Sequence, residues 1–240
     1  MTPAAGVHVV EVATPQGPGR FHVSEAAEPG ALLVLGHGAG GGVDAPDLVA
    51  LGHRLPAQGV TVLRFEQPWR VAGRKVAVRP PLLDEAWLAG LDAVLAVLGA
   101  GLPLVLGGRS AGARVACRTA TALGAVGVVC LSFPLHPPGR PERSRLEELL
   151  LPVVPRLVLQ GTRDTFGGPA ELVGALVGQA GSTGVEVVAL DGADHGGRTA
   201  AASSPTAAEL RDRVVAATGT FVEAVRRAAD GGGIPALPTR

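Results

Sequence analysis

The stretch LPLVLGGRSAGARVACRTA, Leu102–Ala120, is an apolar run that breaks at two glycines and resumes with small and polar residues at helical spacing. Its middle reads Gly108-Arg109-Ser110-Ala111-Gly112. A short apolar run bounded by glycine fits a strand buried on both faces. Small residues around the serine let such a strand turn sharply into a helix. A serine on that turn has its hydroxyl thrust out at the end of a sheet, where a base can reach it. Close packing alone would also favour small residues here, so the rest of the chain must decide between the two explanations.

Five further runs resemble the first: ALLVLG (31–36), GVTVLRF (59–65), VGVVCLS (126–132), RLVLQG (156–161) and VEVVAL (185–190). Helix-period segments lie between them. Pro81–Leu98 puts Trp87, Leu91, Val94, Leu95 and Leu98 on one face, and Asp44 is expected to cap a helix over Asp47–Leu55 with Pro46 in its first turn. Ser110–Leu123, Glu171–Ala180 and Pro205–Ala229 complete the series. Alternation of this kind predicts an α/β fold with a doubly wound, mostly parallel sheet. The segments VHVVEVAT and GRFHVSEA around PQGPG predict an antiparallel hairpin at the sheet edge. One domain over residues 1–230 and a loose tail over 231–240 are expected. The segment 133–155 holds one short helix (PERSRLEELLL) and is too short for a large cap domain.

In such sheets the ligand site lies beyond the carboxyl ends of the strands. His37-Gly38-Ala39-Gly40-Gly41-Gly42 follows the first parallel strand and Ser110 the third; Asp164 follows the fifth and His195 the sixth. A nucleophile, an acid and a base therefore fall at one edge, in the chain order Ser, Asp, His. Serine is a weak nucleophile until a base takes its proton. His195 is the expected base and Asp164 the group that holds its tautomer. Asp191 and Asp194 flank His195 but do not sit at a strand end. His37 is expected to brace the glycine turn, and His136 to line the pocket.

The residues GHGAGG, GGRSAGAR, FPLHPPGRPE, LQGTRDTFG and DGADH together resemble the α/β-hydrolase superfamily over roughly residues 31 to 196. The resemblance is to the group similar to dienelactone hydrolases, nearest the subgroup whose eukaryotic relatives include a testis-expressed protein and a subunit of the NSL chromatin complex. It implies the α/β-hydrolase fold and a serine esterase working through an acyl-enzyme, with no cofactor. Dienelactone hydrolases use a cysteine nucleophile where this chain has Ser110, so a lactone substrate does not carry over, and neither does the chromatin role. The oxyanion hole is expected at the backbone N–H groups of Ala39 and Ala111, where large side chains would fill the carbonyl's place. Gly40, Arg109, Arg70 and His136 are the candidate substrate-binding residues.

Two other readings compete. Gly36-x-Gly38-x-x-Gly41, with Glu66 ending the next strand, matches a dinucleotide fingerprint, though its third glycine should open a helix. A hydrolase fold kept only as an interaction surface is the second, but it leaves a complete Ser, Asp and His set without a purpose. No HExxH or paired Cys/His spacing suggests a metal.

Composition bounds the rest. The formal net charge is zero and hydrophobic residues make up 47%, which favours neither nucleic acid nor an anionic membrane as partner. Lys75 is the only lysine and Ile234 the only isoleucine, the mark of a GC-rich coding sequence, so the surplus of Val, Ala, Gly and Arg is partly codon bias. Cys117 and Cys130 lie in apolar surroundings and are expected to be reduced core residues. With an N-terminus lacking a basic n-region, this predicts a cytoplasmic protein. The segment RFEQPWRVAGRKVAVRPP gathers Arg64, Arg70, Arg74, Lys75 and Arg79, and offers a place for the anionic part of a small ester substrate.

Overall fold

The computed structural model describes residues 6–98, 101–200 and 205–231. The elements in chain order are β1 (His8–Thr14), β2 (Gly17–Ser24), β3 (Ala31–Gly36), α1 (Pro46–Arg54), β4 (Val60–Glu66), α2 (Pro68–Val71) and α3 (Pro80–Leu98). There follow β5 (Leu104–Arg109), α4 (Ala111–Thr119), β6 (Gly127–Leu131), α5 (Leu146–Leu150), β7 (Arg156–Gly161), α6 (Pro169–Leu176), β8 (Val185–Leu190) and α7 (Ala207–Asp230). They build one eight-stranded sheet in the order β1-β2-β4-β3-β5-β6-β7-β8. β3 to β8 run parallel, and the expected hairpin joins β4 through the antiparallel strand β2. This is the α/β-hydrolase fold, with no large cap: the segment 133–155 contributes only α5.

The two-sided burial follows from the period of a strand. Leu32 and Val34 of β3 face one core, with Leu83, Trp87 and Leu91 of α3, Val115 of α4 and Leu172 of α6. Ala31, Leu33 and Leu35 face the other, with Leu48 and Leu51 of α1 and Val214, Phe221 and Val222 of α7. Successive side chains of a strand point to opposite faces, so an uninterrupted apolar run needs helices on both sides. Each large side chain so buried contributes about 1.5–3 kcal/mol relative to exposure.

Three helices differ clearly in their boundaries from expectation, and of these α4 ends at Thr119 rather than Leu123. α1 begins at Pro46 with Ala45 as its cap and no side-chain hydrogen bond, so Asp44 does not cap it. The proline at the first position lacks an N–H and starts the helix without a cap acceptor. α6 stops at Leu176 because Val177 turns to extended backbone and Gly178 takes a φ of 73°. α7 is closed by a capping box in which Thr206 and Glu209 satisfy each other's backbone N–H groups. Among the described residues no helix is long and apolar enough to cross a membrane. Of the expected tail, residues 232–240 lie outside the described residues.

Candidate active site

The turn between β5 and α4 is strained where the serine stands. Ser110 has φ 51° and ψ −108°, one of two non-glycine residues with positive φ among those described. Such a conformation costs on the order of 1–3 kcal/mol and persists only where the surroundings enforce it. Here the enforcement comes from glycines. A Cβ on Gly112 would lie 2.3 Å from Gly36 O, and one on Gly108 2.5 Å from the same atom. The elbow is thus pressed against the end of β3, which brings Gly38 beside Ser110; a Cβ on Gly38 would sit 3.6 Å from that of the serine.

His195, on the loop after β8, lies with Nε2 2.9 Å from Ser110 Oγ. Its Nδ1 donates to the Asp164 carboxylate, 2.8 Å from Oδ2 and 3.0 Å from Oδ1. A carboxylate can only accept, so the ring proton belongs on Nδ1 and Nε2 is left bare toward the serine. Asp164 has a fully buried side chain. Its remaining acceptor capacity is taken by Phe166 N–H at 2.8 Å and Gln160 Nε2 at 3.0 Å. Gln160 in turn is fixed by donation to Phe133 O and Gly167 O. The Phe166 ring stacks on the His195 imidazole at 4.0 Å between centroids. Asp194, next in sequence to His195, accepts from Gly196 N–H and Arg198 N–H and shapes the turn.

Ser110, His195, Ala39, Gly40 and Ala111 all line one cleft of about 930 Å³. Ala111 is the first residue of α4, where an N–H has no acceptor within the helix. His37 is buried and holds the glycine loop: Nδ1 donates to Gly38 O at 2.9 Å, and Nε2 accepts from Gln67 N–H at 3.2 Å. Burial lowers its pKa, with the Gly38 carbonyl opposing, and both contacts suit the neutral ring.

Several assignments change. Arg109 does line the cleft, but its guanidinium is committed elsewhere: it pairs with Asp47 at 2.9 Å and donates to the carbonyl of His195. It braces the histidine loop and is not a free ligand for substrate. His136 does not line the cleft; it is buried between Pro137 O and the Glu171 carboxylate, 2.9 and 2.8 Å away. Arg70 lies beside the glycine loop and outside the cleft lining, with Nε 3.6 Å from where a Cβ on Gly42 would be. Arg64, on a strand buried on both faces, is itself buried and holds Val43 O at 2.7 Å. Arg74, Lys75 and Arg79 are exposed and outside the cleft lining. The dinucleotide reading fails on geometry: Gly36 packs on Gly112, Gly41 closes a turn onto Gly38 O well before α1, and Glu66 faces His22. Sequence reasoning missed Gln160, whose period-two position in a buried strand was a readable signal, and the cleft arginines Arg114, Arg145, Arg198 and Arg211.

The sequence from residue 29 to 223 matches the family model described as alpha/beta hydrolase domain. The chain belongs to that family. Solved structures with this hydrolase fold include an alpha-beta serine hydrolase homologue from Coxiella burnetii, 21% identical, covering 88% of this chain and 97% of its own, with a TM-score of 0.71. A serine hydrolase without lid from Xanthomonas campestris is 21% identical over 97% of both chains, with a TM-score of 0.67. An esterase from Pyrobaculum calidifontis is 16% identical over 95% of this chain and 86% of its own, at 0.64. At these identities the likeness is one of fold.

Proposed function

We propose that this alpha/beta hydrolase is a serine esterase that cleaves a carboxylic ester of a small molecule through an acyl-enzyme. One observation carries the reading: a strained Ser110 hydroxyl 2.9 Å from a His195 nitrogen whose other nitrogen is held by buried Asp164. His195 Nε2 takes the proton of Ser110 Oγ as the oxygen attacks the ester carbonyl. The carbonyl oxygen becomes an oxyanion facing the N–H groups of Ala39 and Ala111, each such donor being worth a factor of ~100–1000 in rate. Imidazolium is stabilised by Asp164 and passes its proton to the departing alkoxide. Water, deprotonated by the same nitrogen, then attacks the acyl-serine, and the proton returns to Oγ as the acid leaves. The serine hydrolases and esterase named above support this reading. The placement near dienelactone hydrolases, and in the subgroup of the testis-expressed and NSL-complex proteins, is part of the same proposal and rests on the shared motifs.

A fluorophosphonate probe tests it. The expected result is stoichiometric labelling at Ser110, with both labelling and para-nitrophenyl ester turnover lost by ~10⁴ or more in Ser110→Ala. Near-native turnover in Ser110→Ala would overturn the mechanism.

A further inference from the structure

The cleft beside Ser110 carries an uneven charge. Five arginines line it, Arg109, Arg114, Arg145, Arg198 and Arg211, against two carboxylates, Asp44 and Asp47. Arg109 is neutralised by Asp47. Arg114 pairs with Glu148, which also receives Arg118, and Arg118 pairs with Asp84. Two arginines and two carboxylates thus balance in that network. Its hydrogen bonds outweigh the burial of Glu148 and hold that carboxyl below its ordinary pKa, so its charge is already in use.

Arg145 is left over. It sits in the connection after β6, partly buried, and among the described residues its guanidinium makes one hydrogen bond, a 3.4 Å contact from Nη1 to Pro134 O. Among the described residues no carboxylate is in ion-pair range of it. Burial depresses its pKa, the like charges of Arg114 and Arg143 add to this, and Glu148 opposes them. A partly desolvated cation has lost some hydration without gaining a counter-charge, so an incoming anion meets a guanidinium that is cheaper to pair than a fully hydrated one. Among the described residues Arg198 and Arg211 also make no ion pair, and Asp44 is the remaining carboxylate of the lining to set against them.

We propose that the cleft selects esters bearing a carboxylate, and that Arg145 is the residue that binds it. The ester part of this rests on the esterase reading above; the anion part does not. A guanidinium is a planar fork that pairs with a carboxylate through two parallel hydrogen bonds. The anion site expected in the basic segment around Arg70 is therefore reassigned to Arg145, which lines the cleft as Arg70 does not.

The test uses two matched pairs of esters: mono-para-nitrophenyl glutarate against para-nitrophenyl pentanoate, and meta-carboxyphenyl butyrate against phenyl butyrate. The native enzyme should favour the anionic member of at least one pair, and the preference should shrink as salt rises. Arg145→Gln should lower that anionic-to-neutral ratio of kcat/KM by ~10–100-fold, the worth of a charged hydrogen bond. Both members are read on one sample, so partial unfolding cancels in the ratio. Ratios near one in the native enzyme, or a ratio unmoved by Arg145→Gln, would overturn the proposal. If no ester is turned over, the esterase reading has failed, and glutarate binding to Ser110→Ala by calorimetry decides the anion site alone. Binding weakened at least ~10-fold by adding Arg145→Gln supports it, and binding that is absent or unchanged overturns it.

Discussion

Asp164→Asn exchanges one oxygen for an amide group and should lower kcat by about four orders of magnitude, the size expected when a histidine base is held in the wrong tautomer. The carboxylate accepts from three donors: Phe166 N–H at Oδ1, Gln160 Nε2 at Oδ2, and His195 Nδ1 at both. An asparagine amide turned either way places its NH₂ against Gln160 or against Phe166. Gln160 cannot flip to accept, because its nitrogen also serves Phe133 O at 3.2 Å and Gly167 O at 2.7 Å. A backbone N–H cannot flip at all. The conflict is relieved in part by His195, which can accept from the new amide at Nδ1. Its proton then moves to Nε2, facing Ser110 Oγ, and the base is gone. A buried donor left without an acceptor should also cost about 1–3 kcal/mol of stability. The assays are kcat for para-nitrophenyl pentanoate, the rate of fluorophosphonate labelling, and urea unfolding. A folded Asp164→Asn protein with kcat within tenfold of native would mean that Asp164 shapes the turn and another group serves the histidine.

Gly112→Ala should destabilise by about 3 kcal/mol, since the new Cβ meets backbone that cannot swing aside, 2.3 Å from Gly36 O. Gly174→Ala in α6, with nothing within 4 Å of its Cβ, should instead stabilise by about 0.5–1 kcal/mol in the same urea titration, and equal effects would contradict the packing argument. The third concerns His37, whose pKa burial lowers from 6.5. Below that pH the unfolded chain takes a proton the folded ring refuses, so stability is lost as pH falls through 6.5 toward the lowered folded value. His37→Gln should flatten unfolding free energy between pH 7 and pH 5, and a slope identical to that of the native protein would remove His37 as a source.

The strands were legible because a buried strand is a local fact: six short apolar runs needed no knowledge of their neighbours. Chain order at the sheet's carboxyl edge was legible for the same reason, and it brought Ser110, Asp164 and His195 onto one list. The glycines of the elbow were readable as a need for closeness, although not which backbone they approach. That partner, Gly36, is set by the parallel pairing of β3 with β5, which places Gly36 opposite Gly108.

Charges followed another rule. Arg109 finds Asp47 across 62 residues, and Arg114 finds Glu148 across 34. No local period predicts either, because an ion pair depends on where two helices or loops meet. The sequence showed a cluster of cations in residues 64–79, yet the fold buries Arg64 and leaves Arg74, Lys75 and Arg79 outside the cleft. It also showed Arg145 as one basic residue among several in a polar segment. Only the packing of that segment beside α4, with Glu148 already claimed by Arg114 and Arg118, leaves Arg145 without a counter-charge among the described residues. Apolar burial is written in the spacing of a few neighbouring residues, whereas the balance of charge around a cleft is a sum over the whole fold.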